Sequence, residues 1–151
     1  MKIIESDPFN SDATFIIGEL SKELMNITGD DGTHSFQPMD FCEPRSIFII
    51  AYDEDGNAIG CGGIRSIDGE TAEVKRMFAL KKSNGVGSEI LGFLEKWAKE
   101  EGYTRIWLET RLINQRAVRF YGKMGYSRIE NYGKYSGNPE AVCFEKLLRL
   151  S

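Results

Sequence analysis

The residues of this chain best suited to chemistry lie in one run, from Thr71 to Ser88. The run opens as Thr-Ala-Glu-Val-Lys-Arg-Met-Phe-Ala, a strand pattern. It then passes through the polar turn Lys82-Ser83-Asn84-Gly85-Val86-Gly87 and enters a helix. A turn of this kind gathers the unbonded N–H groups and the positive dipole end of a helix at one point, which suits a phosphate. Two glycines one residue apart also fit a tight strand-to-helix turn that holds no ligand, so the turn alone leaves both readings open. It is not a Walker A loop, because no Gly-Lys-Ser/Thr follows. Nor is it a dinucleotide fingerprint, because the third glycine is missing and the preceding strands read as antiparallel.

Other chemistries find less support. His34 is the only histidine, which argues against a histidine-based metal site, and no metal is expected. Cys42, Cys61 and Cys143 are odd in number and widely spaced, unlike a disulfide framework or a zinc pattern. Cys61 and Cys143 fall in strand patterns and read as small apolar residues. Residues 1–60 carry 12 acids against 3 bases, and residues 61–151 carry 11 against 16. Most of these charges read as solvated faces; the sharper reading docks a polyanionic ligand on the second half and brings a cationic one to the first. The basic excess is too small for general nucleic-acid binding. No apolar run reaches transmembrane length, and the N-terminus lacks the apolar core of a signal peptide, so the expectation is a cytoplasmic protein with no membrane partner.

The elements that must position these residues can be read in chain order. Ile3 to Ser6 is a short strand. Asp7 to Asp12 holds helix-start residues, and Phe15, Ile16, Leu20, Leu24 and Ile27 recur at helical spacing, in a helix ending near Met25. Residues 29–45 form a polar loop with a short helical piece around Pro38 to Phe41. Ser46 to Tyr52 and Ala58 to Arg65 form a hairpin across Asp53 to Asn57; the glycines of its second strand imply close packing or a bend. After Gly87 comes a helix with Ile90, Leu91, Leu94, Trp97 and Ala98 on one stripe and Gly102 past its end. Arg105 to Thr110 is a strand, and Asn114 starts a helix running to Met124. Tyr126 to Asn131 and Ala141 to Leu147 are the last strands. The order β-α-loop-β-β-β-α-β-α-β-β predicts an α+β fold with a mostly antiparallel sheet. The helix between the fourth and fifth strands makes that pair parallel.

The turn at Lys82 to Gly87 resembles the R/Q-x-x-G-x-G/A signature of the GNAT N-acetyltransferase superfamily, with Lys82 in the R/Q place. Ala72 to Phe78 resembles the fourth strand of that family. Asn114, Ala117 and the run Tyr121-Gly122-Lys123-Met124-Gly125-Tyr126 resemble its N…A…Y-x-K-x-G-F/Y block, and Val142 to Leu147 its closing strand. The likeness covers about residues 46–148 well. Two departures stand out: lysine replaces the bidentate Arg or Gln, and the segment from Phe78 to Gly85 is about two residues short and lacks the usual proline.

The resemblance implies the GNAT acyl-CoA N-acyltransferase fold over 1–151, as one domain. It has about seven strands, the fourth and fifth splayed, and about four helices. It implies an N-acetyltransferase that moves the acetyl group of acetyl-CoA, its co-substrate, to a primary amine by direct attack in a ternary complex. Met77, Phe78 and Ala79 would pair with the pantetheine arm as an added strand. Lys82, Ser83, Asn84, Gly85, Val86, Gly87 and Ser88 would hold the phosphates, and Asn114 and Tyr121 would meet the thiol end. By the same resemblance Tyr121 is the general acid and Glu73 the general base, with Glu109 and Thr110 as alternatives. Glu73 also fits a plain strand carboxylate paired with Lys75 or with an arginine across the sheet. The acceptor would be a small molecule, cationic if the acidic first half faces it, with His34, Asp30, Asp31 and Tyr135 as contacts. Small members of the family often form homodimers. A non-catalytic acyl-CoA-binding module, or a transferase with another acyl donor or a non-amine acceptor, fits the same motifs.

Overall fold

A computed structural model gives the fold and describes residues 1–32, 37–80 and 85–148. Strand β1 (Lys2–Glu5) leads into helix α1 (Ser11–Thr28), followed by a 3₁₀ turn at Pro38–Cys42. Strands β2 (Ile47–Tyr52), β3 (Ala58–Ser66) and β4 (Thr71–Ala79) run consecutively, then helix α2 (Val86–Glu100) and strand β5 (Arg105–Arg111). Helix α3 (Gln115–Lys123), strand β6 (Ser127–Ile129), a second 3₁₀ turn at Gly133–Tyr135 and strand β7 (Ala141–Leu147) complete the order. The strands make one sheet ordered β1-β2-β3-β4-β5-β7-β6. Among the described residues only the β4–β5 pair is parallel, as the α2 crossover requires.

Boundaries differ from the sequence reading where a cap decides them. Asn10 caps α1 through Ala13, and the helix continues past Met25 to Thr28, where Gly29 takes a left-handed conformation (φ 78°) and donates to the Met25 carbonyl. Phe15, assigned to the apolar stripe, is 53% exposed; Ala13, Ile16 and Leu20 make the buried line. Strand β6 covers only three residues of the predicted Tyr126 to Asn131. The four helices expected are three α-helices and two 3₁₀ turns among the described residues.

The sheet is covered on both faces. Ile64, Val74, Ile106 and Leu108 pack under α2 and α3, while Phe48, Ile50, Cys61 and Phe78 pack under α1 and Phe41. The β3 glycines make this possible. A Cβ on Gly63 would stand 2.4 Å from the Phe41 ring, and one on Gly62 2.9 Å from Met77 Sδ. Among the described residues no helix is long and apolar enough to cross a membrane.

Candidate active site

The site begins where β4 and β5 part. Their ladder ends at Glu73 opposite Trp107, yet β4 runs on to Ala79 and β5 to Arg111. A bulge explains the divergence. Between Gly63↔Lys75 and Cys61↔Phe78, β4 holds one residue more than β3, and Arg76 sits at φ 57°. The Cys61 thiol donates to the Arg76 carbonyl at 3.2 Å, fixing the bulge. Beyond it the side chains change sides: Val74 and Met77 face α2, Phe78 faces α1. A strand pairs on two edges, and past Glu73 the β5-side edge of β4 has no strand beside it among the described residues. That edge, which includes Met77, Phe78 and Ala79, borders a cleft of about 1320 Å³.

The α2 N-terminus opens into the same cleft. Gly85 is its N-cap, in the left-handed region at φ 81°, and has no side chain with which to cap the first turn. Gly85, Gly87 and Ser88 line the cleft, and Val86 is buried beneath them. The Ser88 hydroxyl donates to the Gly85 carbonyl at 3.0 Å. A Cβ on Gly87 would touch the Phe120 ring at 3.5 Å. Lys82, Ser83 and Asn84 lie outside the described residues, as does His34.

Helix α3 forms the opposite wall. Asn114 is its N-cap; its Oδ1 accepts from Ala117 N at 3.3 Å, which leaves the amide nitrogen for the cleft. Tyr121 lines the cleft from a nest of rings, with Phe120 at 5.2 Å, Tyr126 at 5.8 Å and Phe144 at 6.0 Å. Burial, and then the charge of Glu109, raise its proton affinity well above the usual phenol value.

Two carboxylates reach the cleft floor, in different states. Glu73, 1% exposed, receives Arg65 Nε at 2.6 Å on one oxygen and the Tyr132 hydroxyl on the other; Lys75 Nζ lies 4.0 Å away. The structure thus places Glu73 in a cross-sheet ion pair. Glu109, two residues beyond Trp107 on β5, is raised from 4.5 to about 7, chiefly by burial, against the pull of Lys75 and Arg111. Thr110 and Tyr135 also line the cleft. Asp30 accepts from Gly32 N at 2.8 Å, while the Asp31 carbonyl accepts from Arg76 at 3.4 Å.

Lys75, Arg111, Arg65 and Tyr132 were not singled out as site residues from sequence. Lys75 and Arg111 stand one strand period from Glu73 and Glu109, a signal that alternation offers. Tyr132 comes from a loop 59 positions away from Glu73 and offers none.

The model of the acetyltransferase (GNAT) family matches residues 17–126. An IAA acetyltransferase of Azospirillum brasilense is 27% identical over 149 residues, spanning 97% of each chain. An acetyltransferase from Streptococcus agalactiae shares the fold with a TM-score of 0.78 at 24% identity, over 97% of this chain and 98% of the other. An aminoglycoside 6'-N-acetyltransferase complexed with coenzyme A shares it with a TM-score of 0.67 at 18% identity, over 100% and 99%.

Proposed function

The chain belongs to the acetyltransferase (GNAT) family, and on that premise we propose that it carries the acetyl group of acetyl-CoA to the primary amine of a small acceptor by direct attack in a ternary complex. One observation carries the reading. A strand edge unpaired among the described residues, a helix N-terminus that starts at a left-handed glycine, a carboxyl titrating near neutrality and a buried phenol all border the same cleft.

The chain's residues divide the work. The edge at Met77 to Ala79 offers N–H and C=O groups to the two amides of pantetheine. The first N–H groups of α2, from Val86 to Ser88, take the pyrophosphate, with Lys82, Ser83 and Asn84 before them. The Asn114 amide points toward the thiol end. Glu109, rather than Glu73, takes the proton from the acceptor ammonium: it titrates near neutral pH, whereas both oxygens of Glu73 are engaged. Glu73 then serves as a positioning residue, holding Arg65 and Tyr132. The C–N bond forms as the C–S bond breaks; Tyr121, which keeps its proton throughout the neutral range, gives it to the departing thiolate and is reprotonated by the second proton that leaves the amide nitrogen.

Calorimetry with acetyl-CoA tests the cradle. Gly85→Val and Gly87→Val are each expected to weaken binding by roughly tenfold or more, since each crowds N–H groups made for phosphate. Wild-type affinity no better than theirs would overturn the assignment. Free-thiol release with an amine panel tests the chemistry. Tyr121→Phe is expected to lose roughly ten- to a thousandfold in kcat with acetyl-CoA affinity nearly unchanged; unaltered turnover would remove Tyr121 as the acid.

A further inference from the structure

We infer that the acceptor carries a carboxylate near its amine, and that Lys75 and Arg111 bind it on the two flanks of Glu109. This rests on the acetyltransferase reading and names the substrate class of the same site.

The register places the three groups together. The last β4–β5 pair is Glu73 opposite Trp107, so Lys75 and Glu109 are the next positions on that face as the strands part. Arg111 follows two residues later on β5. All three line the cleft, and Lys75 and Arg111 are the cations that bear most on the Glu109 carboxyl.

Each cation has a feature that points to an anionic ligand. Arg111 donates its Nη2 to Glu140 at 2.9 Å, on the outer side, where Glu140 is 69% exposed. Its Nε is buried and has no hydrogen-bond partner among the described residues. A buried donor left without an acceptor costs roughly 1–3 kcal/mol, so native structures keep one mainly where something else supplies the acceptor. Lys75 is 7% exposed, and burial lowers its hold on its proton. Its Nζ lies 4.0 Å from Glu73, and the side chain lines the cleft beside Glu109. Both cations also lower the proton affinity of Glu109, which weakens a base that burial has tuned upward. A base alone has no use for them. A docked carboxylate screens them and lets Glu109 regain basicity as the acceptor arrives.

The acids of the first half are a weaker lure for a polycation. On the α1 rim Glu19 is paired with Lys22 at 3.2 Å and Asp30 with Gly32 N, leaving Glu23. An amine a few bonds from a carboxylate matches the floor: amine to Glu109, carboxylate to Lys75 and Arg111. Amino acids are the simplest members of this class.

The test is steady-state thiol release at saturating acetyl-CoA. The acceptors are the common α-amino acids and β-alanine, each against its methyl ester, with β-alanine also against the diamine of matching length. Free acids are expected to exceed esters and the diamine by roughly 10- to 100-fold in kcat/KM, the worth of one or two charge-assisted hydrogen bonds. Lys75→Gln and Arg111→Gln should each bring that ratio toward one, mainly through the acceptor KM, with the acetyl-CoA KM unchanged. Lys75→Arg, which keeps the charge if the glutamine variant fails to fold, should retain the preference. Esters or the diamine preferred, no amino-carboxylate accepted, or a preference that survives both glutamine variants would overturn the inference. Acetyl-CoA binding with turnover of other amines would sink this inference alone; no acetyl-CoA binding by calorimetry would sink the parent reading with it.

Discussion

Glu109 is pulled in opposite directions by its surroundings: burial raises its proton affinity, and Lys75 and Arg111 lower it, with burial prevailing at about 7. Two measurements follow from that single balance. As the base, Glu109 must be ionised, so kcat/KM should climb through the weakly acid range and level off above about pH 7; Glu109→Gln should flatten the profile and lower the rate by roughly 10²–10⁴. The same shift acts on folding. The folded chain holds a proton on Glu109 between 4.5 and about 7 that the unfolded chain has released, so stability falls as pH rises through that window. Allowing for partial exposure, the loss above the window is roughly 1–3 kcal/mol. Glu109→Gln should therefore be more stable than wild type near about pH 8 and equal to it near about pH 4, by denaturant midpoints. A glutamine variant less stable at the higher pH would refute the burial argument. From sequence, the motif match put Glu73 ahead of Glu109. The pairing with an arginine across the sheet was among the sequence readings of Glu73; the second partner, Tyr132, 59 positions away, leaves no sign in the local run.

At the scale of elements, the cleft depends on how closely β3 lets its neighbours approach and on where β4 breaks step. The glycines of β3 were legible as close packing because a strand interior has little other use for them. Their effects differ by position in a way that thermal or denaturant unfolding can check. At Gly63 an added methyl would meet the Phe41 ring at 2.4 Å, so Gly63→Ala should destabilise by roughly 1–3 kcal/mol through overpacking. At Gly85 no described residue stands within 4 Å of an added methyl and the φ of 81° opposes it, so Gly85→Ala should cost roughly 1–2 kcal/mol through the backbone. Equal tolerance of alanine at Gly63 and at the open Gly69 would contradict the first claim. The parallel pair and the strand order through β5 were legible because a helical crossover dictates them. The bulge was not. It falls on Arg76, whose residue type gives no sign of a positive φ, and it appears only in the β3 register. The extension of α1 past Met25 was missed although Ile27 continues the stripe; the left-handed Gly29 ends the helix.

For the molecule as a whole, the sheet separates two jobs. In the proposed reading, helices α2 and α3 on one face supply the phosphate end and the phenol, α1 and the Gly133–Tyr135 turn on the other side border the acceptor, and the gap between β4 and β5 joins the two. Charge alone suggested the basic second half for a polyanionic ligand, beside the plainer reading of solvated faces; Lys75 and Arg111 were not singled out, because the acidic first half directs attention elsewhere. If acetyl-CoA fills this gap, it adds a strand-like partner to β4 and satisfies the start of α2, and it binds only the folded chain. At a concentration about 100 times its dissociation constant it should stabilise the fold by roughly 2.7 kcal/mol. For a chain of this size that is a rise of roughly 5–10 °C in Tm. Hydrogen exchange should place the gain. Protection is expected at Met77 to Ala79 and at Val86 to Ser88, with little change in β1 or β6, which lie at the far edges of the sheet. A rise in Tm with protection confined to the α1 rim would mean that the ligand sits outside the gap. Protection spread evenly over β1 and β6 would mean that the fold tightens as a whole, and that the splayed edge is not where the cofactor adds its strand.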